Sequence, residues 1–260
     1  MDNKVTKKRI SVHLEYDWLK YIAILIASIF VWYFVFMQIN ATRDFEKIEV
    51  FFSQYSAEGP DLSTDFISEL NASGDDVIRQ VSVNYQSPRS TQTYGTLFQA
   101  NQMTADVMIL PASYMKNFAL YFREWAETPA DFVSGADNFA NYLFTPDEGE
   151  NFGFDWKSWF ADENNLYVYN TEDTAYSQYN GRVCGIRIDN LPGVAIENAP
   201  FAFDYKKLDP ETKEENDTEF YLVICSSATN IGRYSKKEKY RGYTHVLRYV
   251  RWLTDRYGNR

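Results

Sequence analysis

The chain has 260 residues, of which 45% are hydrophobic and 17% aromatic, and its formal net charge is −10. This length allows one medium-sized domain beside a shorter segment, and the aromatic content is sufficient for a substantial core. The charge is uneven, because residues 1–40 sum to +2 and the remainder to −12. An acidic remainder argues against nucleic acid as a partner and against flat docking on anionic lipid, although simple solubility also accounts for the charge.

An uncharged apolar run, YIAILIASIFVWYFVFMQI, occupies residues 21–39. About 20 helical residues cross the ~30 Å hydrocarbon core of a bilayer. The run is longer than the apolar region of a cleaved signal peptide, and no small-residue cleavage site follows it. We therefore predict a transmembrane anchor over residues 21–39 with the lipid bilayer as its partner. A buried core helix is the alternative.

The charges that flank this run predict its orientation. Only Arg43 and Lys47 follow it closely, and positive residues tend to stay on the cytoplasmic side of a membrane. We therefore predict a single-pass protein of the cell membrane with a cytoplasmic tail at 1–20, a linker at 40–46 and an extracytoplasmic domain at 47–260. The basic residues that precede the run are Lys4, Lys7, Lys8, Arg9 and Lys20.

Strand and helix patterns alternate from residue 47 to residue 125. This alternation predicts an α/β fold, in which a mostly parallel sheet carries helices on both faces. Ser113 is the predicted N-cap of the third helix. The predicted strands cover 47–52, 77–85 and 105–111, and the predicted helices cover 61–74, 91–103 and 113–125.

The second half of the chain is less regular. Residues 126–180 and 190–218 are predicted to form an irregular annex that contains a short strand at 166–170. The closing helix has apolar residues along one side and Lys or Arg on the other, which is typical of a helix packed on a sheet. The remaining predicted elements are strands at 181–188 and 219–226 and this helix at 235–258.

The two cysteines, Cys184 and Cys225, each lie in a short apolar run. They could form a disulfide in an oxidising compartment, or each could be a small buried core residue. His245 is the only histidine on the predicted outer side, which disfavours a histidine metal site. The sequence contains no nucleophile elbow, phosphate-binding loop or zinc-protease motif. We therefore predict no cofactor, no metal site and no enzymatic activity.

Three segments of the chain resemble, in their order, the first lobe of extracellular solute-binding proteins of ABC transporters. They are ADVMILPASYMKNF, GRVCGIRID, and YLVICSSATNIG with the closing helix. GRVCGIRID is similar to the G-K-x-Y-G-I-P strand of that family, with Cys184 at the aromatic position and Arg187 at the proline position. The resemblance covers residues 47–125, 181–189 and 219–257. It implies a periplasmic-binding-like fold truncated to one lobe, because members of the family are commonly far longer and have two lobes.

Open parallel sheets bind ligands at the carboxyl ends of their strands. The predicted sheet places eight polar or aromatic residues at these ends. They suit a hydroxyl-rich ligand, because ring faces stack on sugars and amides bond to hydroxyls. As an alternative, Ser113 only caps a helix and the others are loop residues. The eight are Ser53, Gln54, Tyr55, Gln86, Ser113, Tyr114, Asp189 and Asn190.

The resemblance implies a membrane-anchored protein accessory to ABC-type uptake of a carbohydrate or another small polar solute. ABC permease subunits or another envelope protein would then be its partners. The alternative is a degenerate binding fold that acts as a cell-surface scaffold or protein-interaction module. The missing second lobe and the high aromatic content favour that alternative.

Overall fold

The computed structural model divides the chain into two compact units, Met1–Arg43 and Asp44–Arg260. The predictions made for residues 1–6, 43–45, 135–154, 195–200, 204–218 and 235–240 lie outside the described residues. The structure describes residues 7–42, 46–55, 59–72, 78–89, 91–102, 104–134, 155–194, 201, 203, 219–226 and 241–258.

The first unit contains helix α1, Lys7–Asn40. Its stretch Glu15–Asn40 is long and apolar enough to span a membrane, and none of that stretch is buried. At 1.5 Å per residue these 26 residues extend about 39 Å, which exceeds a ~30 Å hydrocarbon core. The Ser28 hydroxyl donates a hydrogen bond to the Ile24 carbonyl oxygen within the same helix (2.8 Å). The exposure of this helix is unlike that of a helix in a protein core.

The second unit is built on one six-stranded sheet in the order β2-β1-β3-β6-β5-β4. Strand β1 pairs in parallel with β2 and β3, whereas the β3–β6, β6–β5 and β5–β4 pairs are antiparallel. The strands are β1 Lys47–Ser53, β2 Gln80–Gln86, β3 Val107–Pro111, β4 Leu166–Val168, β5 Val183–Arg187 and β6 Phe220–Ile224.

The fold is therefore α/β, as predicted, but the sheet is mixed rather than mostly parallel. Parallel neighbours need a long crossover, usually a helix. Such crossovers join β1 to β2 and β2 to β3, through a helix in each case. Between β4 and β5 the chain forms only a 3₁₀ turn, Ser177–Tyr179, so β5 returns antiparallel to β4.

The helices of the second unit agree with the predicted positions, except that the third is shorter. Helix α4 ends at Phe118 and a 3₁₀ turn follows, whereas the sequence predicts a helix as far as Trp125. The Arg123 and Trp125 N–H groups instead donate to the Ile224 and Val183 carbonyl oxygens of the sheet. The described helices are α2 Leu62–Ala72, α3 Thr91–Asn101, α4 Ala112–Phe118, α5 Pro129–Ser134, α6 Trp156–Phe160 and α7 Arg241–Gly258.

Ring contacts on the central strand show that the sheet is covered on both faces. Successive residues of a strand point to opposite faces. Phe51 contacts Tyr94 of α3 (centroids 5.5 Å apart), whereas Phe52 stacks on Phe201 (5.0 Å). Phe201 in turn contacts Tyr257 of α7 (4.7 Å). Helix α3 therefore packs on one face, and α7 lies on the other.

Helix α7 is more deeply buried than its amphipathic pattern predicts. Phe66 of α2 meets Tyr249 edge-on (5.1 Å), and the Trp252 indole N–H donates to Glu69 of α2 (2.6 Å). Arg251, predicted to face outward, is 6% exposed. The prediction of an open basic side is therefore wrong at Arg251, because this helix packs against α2 as well as the core.

Candidate functional site

The carboxyl ends of four strands meet at one edge of the sheet. Strand β3 is antiparallel to β6, and β6 is antiparallel to β5, so β5 points the same way as β1, β2 and β3. At this edge Ser53 pairs with Gln86, Pro111 with Phe220, and Arg187 with Tyr221. The predicted residues that follow these strands therefore start from a common edge, and their role in ligand binding stays a prediction.

At the β5–β6 side of this edge the charged groups bind one another. The Arg187 guanidinium donates to Asp189 through Nε and Nη2 (both 3.0 Å) and to Glu219 through Nη1 (3.1 Å). Asp189 also accepts a hydrogen bond from the Phe220 N–H (2.8 Å), and Glu219 accepts one from the Tyr221 hydroxyl (2.9 Å). Asp189 therefore fastens β5 to β6, and it is not an open ligand group in this structure.

Burial also affects the ionisation of Tyr221 in this cluster. Desolvation, followed by the hydrogen bond to Glu219, raises the pKa of Tyr221 far above its ordinary value. Tyr221 is therefore a neutral hydrogen-bond donor at any physiological pH. Glu219 and Tyr221 are not among the residues predicted for this site. The signal for the Arg187–Asp189 pair is their spacing of two residues, which places both side chains on one face of an extended chain.

Ser53, Gln54 and Asn190 are occupied by internal contacts. The Ser53 hydroxyl is fully buried and hydrogen-bonded to the Tyr94 hydroxyl. Gln54 is also fully buried, and its backbone N–H donates to the Gln86 carbonyl oxygen (3.0 Å). The Asn190 amide donates to the Asn165 side-chain oxygen. Ser53 and Gln54 therefore belong to the interior of the domain, whereas Asn190 is half-buried.

Tyr55 and Gln86 are partly exposed at the edge. The Arg89 guanidinium lies over the Tyr55 ring, 5.3 Å from its centroid, and the same ring meets Phe220 edge-on at 5.9 Å. The Gln86 amide donates to the Asn84 side-chain oxygen (2.6 Å). Together with Ser113 and Tyr114, these two residues are the part of the predicted strand-end site that remains at the surface.

Ser113 is not the N-cap of its helix. Pro111 is the N-cap of α4, has no side-chain cap bond, and adopts an extended backbone. Ser113 lies within the first turn of the helix, so the prediction of a capping role is wrong. The Ser113 carbonyl accepts a long hydrogen bond from the Asn117 amide (3.3 Å), and the Ser113 side chain is exposed.

Ser113 and Tyr114 instead line a groove between α3 and α4, with a volume of about 320 Å³. Phe98 is fully buried beneath it, and its ring lies 5.1 Å from Tyr114 and 4.8 Å from Phe118. We name this feature the α3/α4 groove. Its lining residues are Gly95, Phe98, Gln99, Ser113, Tyr114, Asn117 and Phe118.

The groove combines half-buried rings with neutral polar groups. Tyr114 and Phe118 stack nearly parallel, at 19° and 5.9 Å between centroids. Burial raises the pKa of Tyr114, so its hydroxyl stays protonated. The groove residues on α3 are not among the predicted site residues, although Gly95, Phe98 and Gln99 have the three- and four-residue spacing of one helix face.

In this structure Cys184 and Cys225 are free, buried thiols, which agrees with the core alternative, and the disulfide stays an alternative. Desolvation raises the pKa of Cys184 to about 12, and it raises the pKa of Cys225 as well. A protonated, buried thiol is a poor nucleophile. In the part of the chain that the structure describes, no three His, Cys, Asp or Glu side chains come together to hold a metal ion.

Comparison of the chain with protein-family models, with curated proteins and with solved structures finds no match. The functional proposal therefore depends on the fold and on the chemistry of the edge and of the α3/α4 groove.

Proposed function

We propose that this chain is a membrane-anchored binding protein whose α/β domain lies outside the cytoplasm and assists ABC-type uptake of a small polar solute. The observation that carries the proposal is the convergence of β1, β2, β3 and β5 at one edge of the sheet. Open α/β sheets bind ligands outside the carboxyl ends of their strands. The α3/α4 groove begins directly after β3, through Ser113 and Tyr114.

The apolar helix supports the anchoring part of the proposal. Its stretch Glu15–Asn40 is unburied and contains the uncharged run at 21–39. A surface of this kind is stable in lipid, where each backbone group bonds within the helix. The excess of basic residues before the run favours a cytoplasmic N-terminal tail. The acidic domain would then lie on the outer side, where permease subunits of the same membrane could meet it.

A second candidate function, protein contact at the cell surface, is favoured by one specific observation. Tyr121 is 59% exposed, and its ring lies 6.1 Å from Phe118 at the side of the α3/α4 groove. Exposed tyrosines are enriched where proteins meet. The engagement of Asp189, Ser53 and Asn190 by internal contacts agrees with this candidate too, because it leaves fewer polar groups for a small ligand.

Photo-crosslinking in native membranes separates the two candidates. A photoreactive amino acid replaces Tyr121 in the full chain, and the matched control carries it at Tyr176, which is 48% exposed. Crosslinks from position 121 to transporter subunits, absent from position 176, would support the uptake role. Specific crosslinks to another envelope protein would favour the contact role. No specific partner from either position would argue against both.

The orientation is tested by adding protease to intact cells that carry a tag at each end of the chain. We expect loss of the C-terminal tag and protection of the N-terminal tag. The opposite pattern would place the acidic domain in the cytoplasm and would remove the basis for both functions.

A further inference from the structure

The α3/α4 groove is positioned by the sheet rather than by a loop. Helix α3 precedes β3 and helix α4 follows it directly, so both helices are tied to a fully buried strand. Phe98 forms the buried floor between them. Sites held by regular elements keep their geometry more closely than sites on loops do. The groove is therefore a preformed feature of the domain.

The polar groups of the groove are all uncharged. Gln99 and Asn117 supply amides, and Ser113 and Tyr114 supply hydroxyls. Each of these groups both donates and accepts hydrogen bonds. Sugar hydroxyls have the same dual character. A phosphate or carboxylate, in contrast, would lose water in this groove without gaining a countercharge from the lining residues.

The apolar part of the groove is aromatic. Tyr114 and Phe118 are half-buried, and their rings lie nearly parallel. Rings bury a large apolar area, and tyrosine adds a polar tip. A pyranose ring has an apolar C–H face with hydroxyls around its rim, so it matches an aromatic wall edged by amides. A volume of about 320 Å³ lies at the lower end of small-ligand pockets, which is suited to a single ring.

We propose that the α3/α4 groove binds one neutral pyranose ring of a saccharide. The aromatic faces of Tyr114 and Phe118 pack against the sugar, and the amides of Gln99 and Asn117 hydrogen-bond its hydroxyls. This assignment rests on the proposed solute-binding function and narrows its site from the strand ends to the two helices that precede and follow β3. The strand-end residues Ser53 and Asp189 then serve the fold.

Gly95 provides a way to close the groove without removing any contact. A Cβ atom at this position would meet the Tyr114 hydroxyl at 3.6 Å, which is an ordinary contact distance. A leucine side chain that starts at this Cβ position would extend from α3 beside the Tyr114 hydroxyl, and we expect it to fill part of the groove. Ala100 lies on the same helix, is exposed, and does not line the groove. Ala100→Leu is thus a matched control for Gly95→Leu.

The test uses the full chain in phosphatidylcholine nanodiscs, since glycoside detergents would compete for the site. Saturation-transfer NMR is recorded with methyl glucoside, methyl galactoside, N-acetylglucosamine, cellobiose and maltose, and with glucose 6-phosphate as the charged comparison. We expect at least one neutral saccharide to bind, with an affinity at least tenfold lower for Gly95→Leu and for Tyr114→Ala. Ala100→Leu should retain the affinity, and glucose 6-phosphate should bind more weakly than methyl glucoside.

The contrary results separate a failure of the groove assignment from a failure of the proposed function. Loss of binding in Tyr55→Ala with full binding in Gly95→Leu would place the sugar over the strand ends. This result would overturn the assignment of the sugar to the α3/α4 groove and would keep the solute-binding function. Failure of every saccharide to bind overturns the groove assignment, whereas the uptake role is judged separately by the crosslinks from position 121. If Gly95→Leu does not fold, the variant Gln99→Ala takes its place, because Gln99 is exposed. We expect Gln99→Ala to lower the saccharide affinity three- to tenfold. An unchanged affinity would contradict the proposal.

Discussion

The two halves of the sheet use their polar residues differently. In the parallel half, formed by β2, β1 and β3, the strand ends carry neutral residues, and α3 and α4 form a groove with an uncharged lining. In the antiparallel half, formed by β6, β5 and β4, the charged residues Arg187, Asp189 and Glu219 are bound to one another. That half also contains or adjoins both buried cysteines.

This difference reflects how strongly each kind of polar residue depends on a partner inside the protein. A partly buried charge needs a partner, and here Arg187 and the Phe220 N–H supply the partners of Asp189. Neutral amides and hydroxyls at the surface have no such requirement. We therefore expect substitutions in the antiparallel half to change stability, and substitutions in the groove to change binding.

The largest expected effect concerns the thiols of the antiparallel half. Burial raises the pKa of Cys184 from its ordinary value of 9.0 to about 12. Three units of pKa lower the thiolate fraction roughly thousandfold at pH 8, and the thiolate is the reactive form. Iodoacetamide labelling of the native chain, followed by mass spectrometry, should thus be far slower than labelling in urea. Below pH 12 the rate should rise as pH rises.

Cys225 serves as the internal comparison, because its pKa is also raised by burial and it should be protected as well. Rapid labelling of either native thiol would show that this half of the sheet is open to solvent. A chain that labels in urea only after reduction would show that the two cysteines form a disulfide.

The next largest effect is expected for Asp189→Ala. The Asp189 side chain is 9% exposed and that of Arg187 is 19% exposed. The substitution leaves Arg187 with Glu219 alone and removes the acceptor of the Phe220 N–H, so we expect a loss of about 2–3 kcal/mol in the free energy of unfolding. Urea unfolding of the full chain in nanodiscs, followed by tryptophan fluorescence, measures it. Glu172→Ala, at an exposed position, should change that free energy by less than about 0.5 kcal/mol. Equal effects of the two substitutions would show that the bonds of Asp189 do not stabilise the antiparallel half.

The sequence predicts the first half of the fold well, because local signals decide it there. Apolar runs bounded by turn residues place β1 and β3 within two residues of their observed ends, and the alternation with helices indicates their parallel direction. The insertion of β6 between β3 and β5 depends on long-range pairing, for which no local pattern exists. Residues 122–126 also pair with the sheet through long-range contacts, and this pairing ends α4 earlier than the local pattern predicts.

The candidate site is only partly predictable for a related reason. Residue type correctly suggests that Tyr114 and Gln86 reach the surface, but it cannot show that Ser53 is buried against Tyr94. The Tyr94 contact joins residues 41 positions apart. The α3/α4 groove likewise combines two helices whose contact is formed only in the folded domain.

A smaller effect is expected in the parallel half for Ser53→Ala. The substitution removes one hydrogen-bond partner of the buried Tyr94 hydroxyl, which should lower the free energy of unfolding by about 1 kcal/mol. Tyr94→Phe and the double variant complete a mutant cycle, and the double variant should cost less than the sum of the two single changes. Strict additivity would show that the two hydroxyls do not interact. A loss of saccharide binding in Ser53→Ala without a change in stability would restore Ser53 as a ligand residue.

The smallest effect is a gain in stability from Gly95→Ala. Gly95 lies within α3, and a Cβ there meets no atom closer than the Tyr114 hydroxyl at 3.6 Å. Alanine should therefore raise the free energy of unfolding by about 0.5–1 kcal/mol, because it restricts the unfolded chain. Gly181, which precedes β5, has a φ of +91°, so the same substitution there should cost about 1–2 kcal/mol. Urea unfolding of both variants measures the sign of the change in the free energy of unfolding in each half. A lower free energy of unfolding for Gly95→Ala would mean that the groove is packed too tightly to admit a methyl group, and therefore too tightly to admit a sugar.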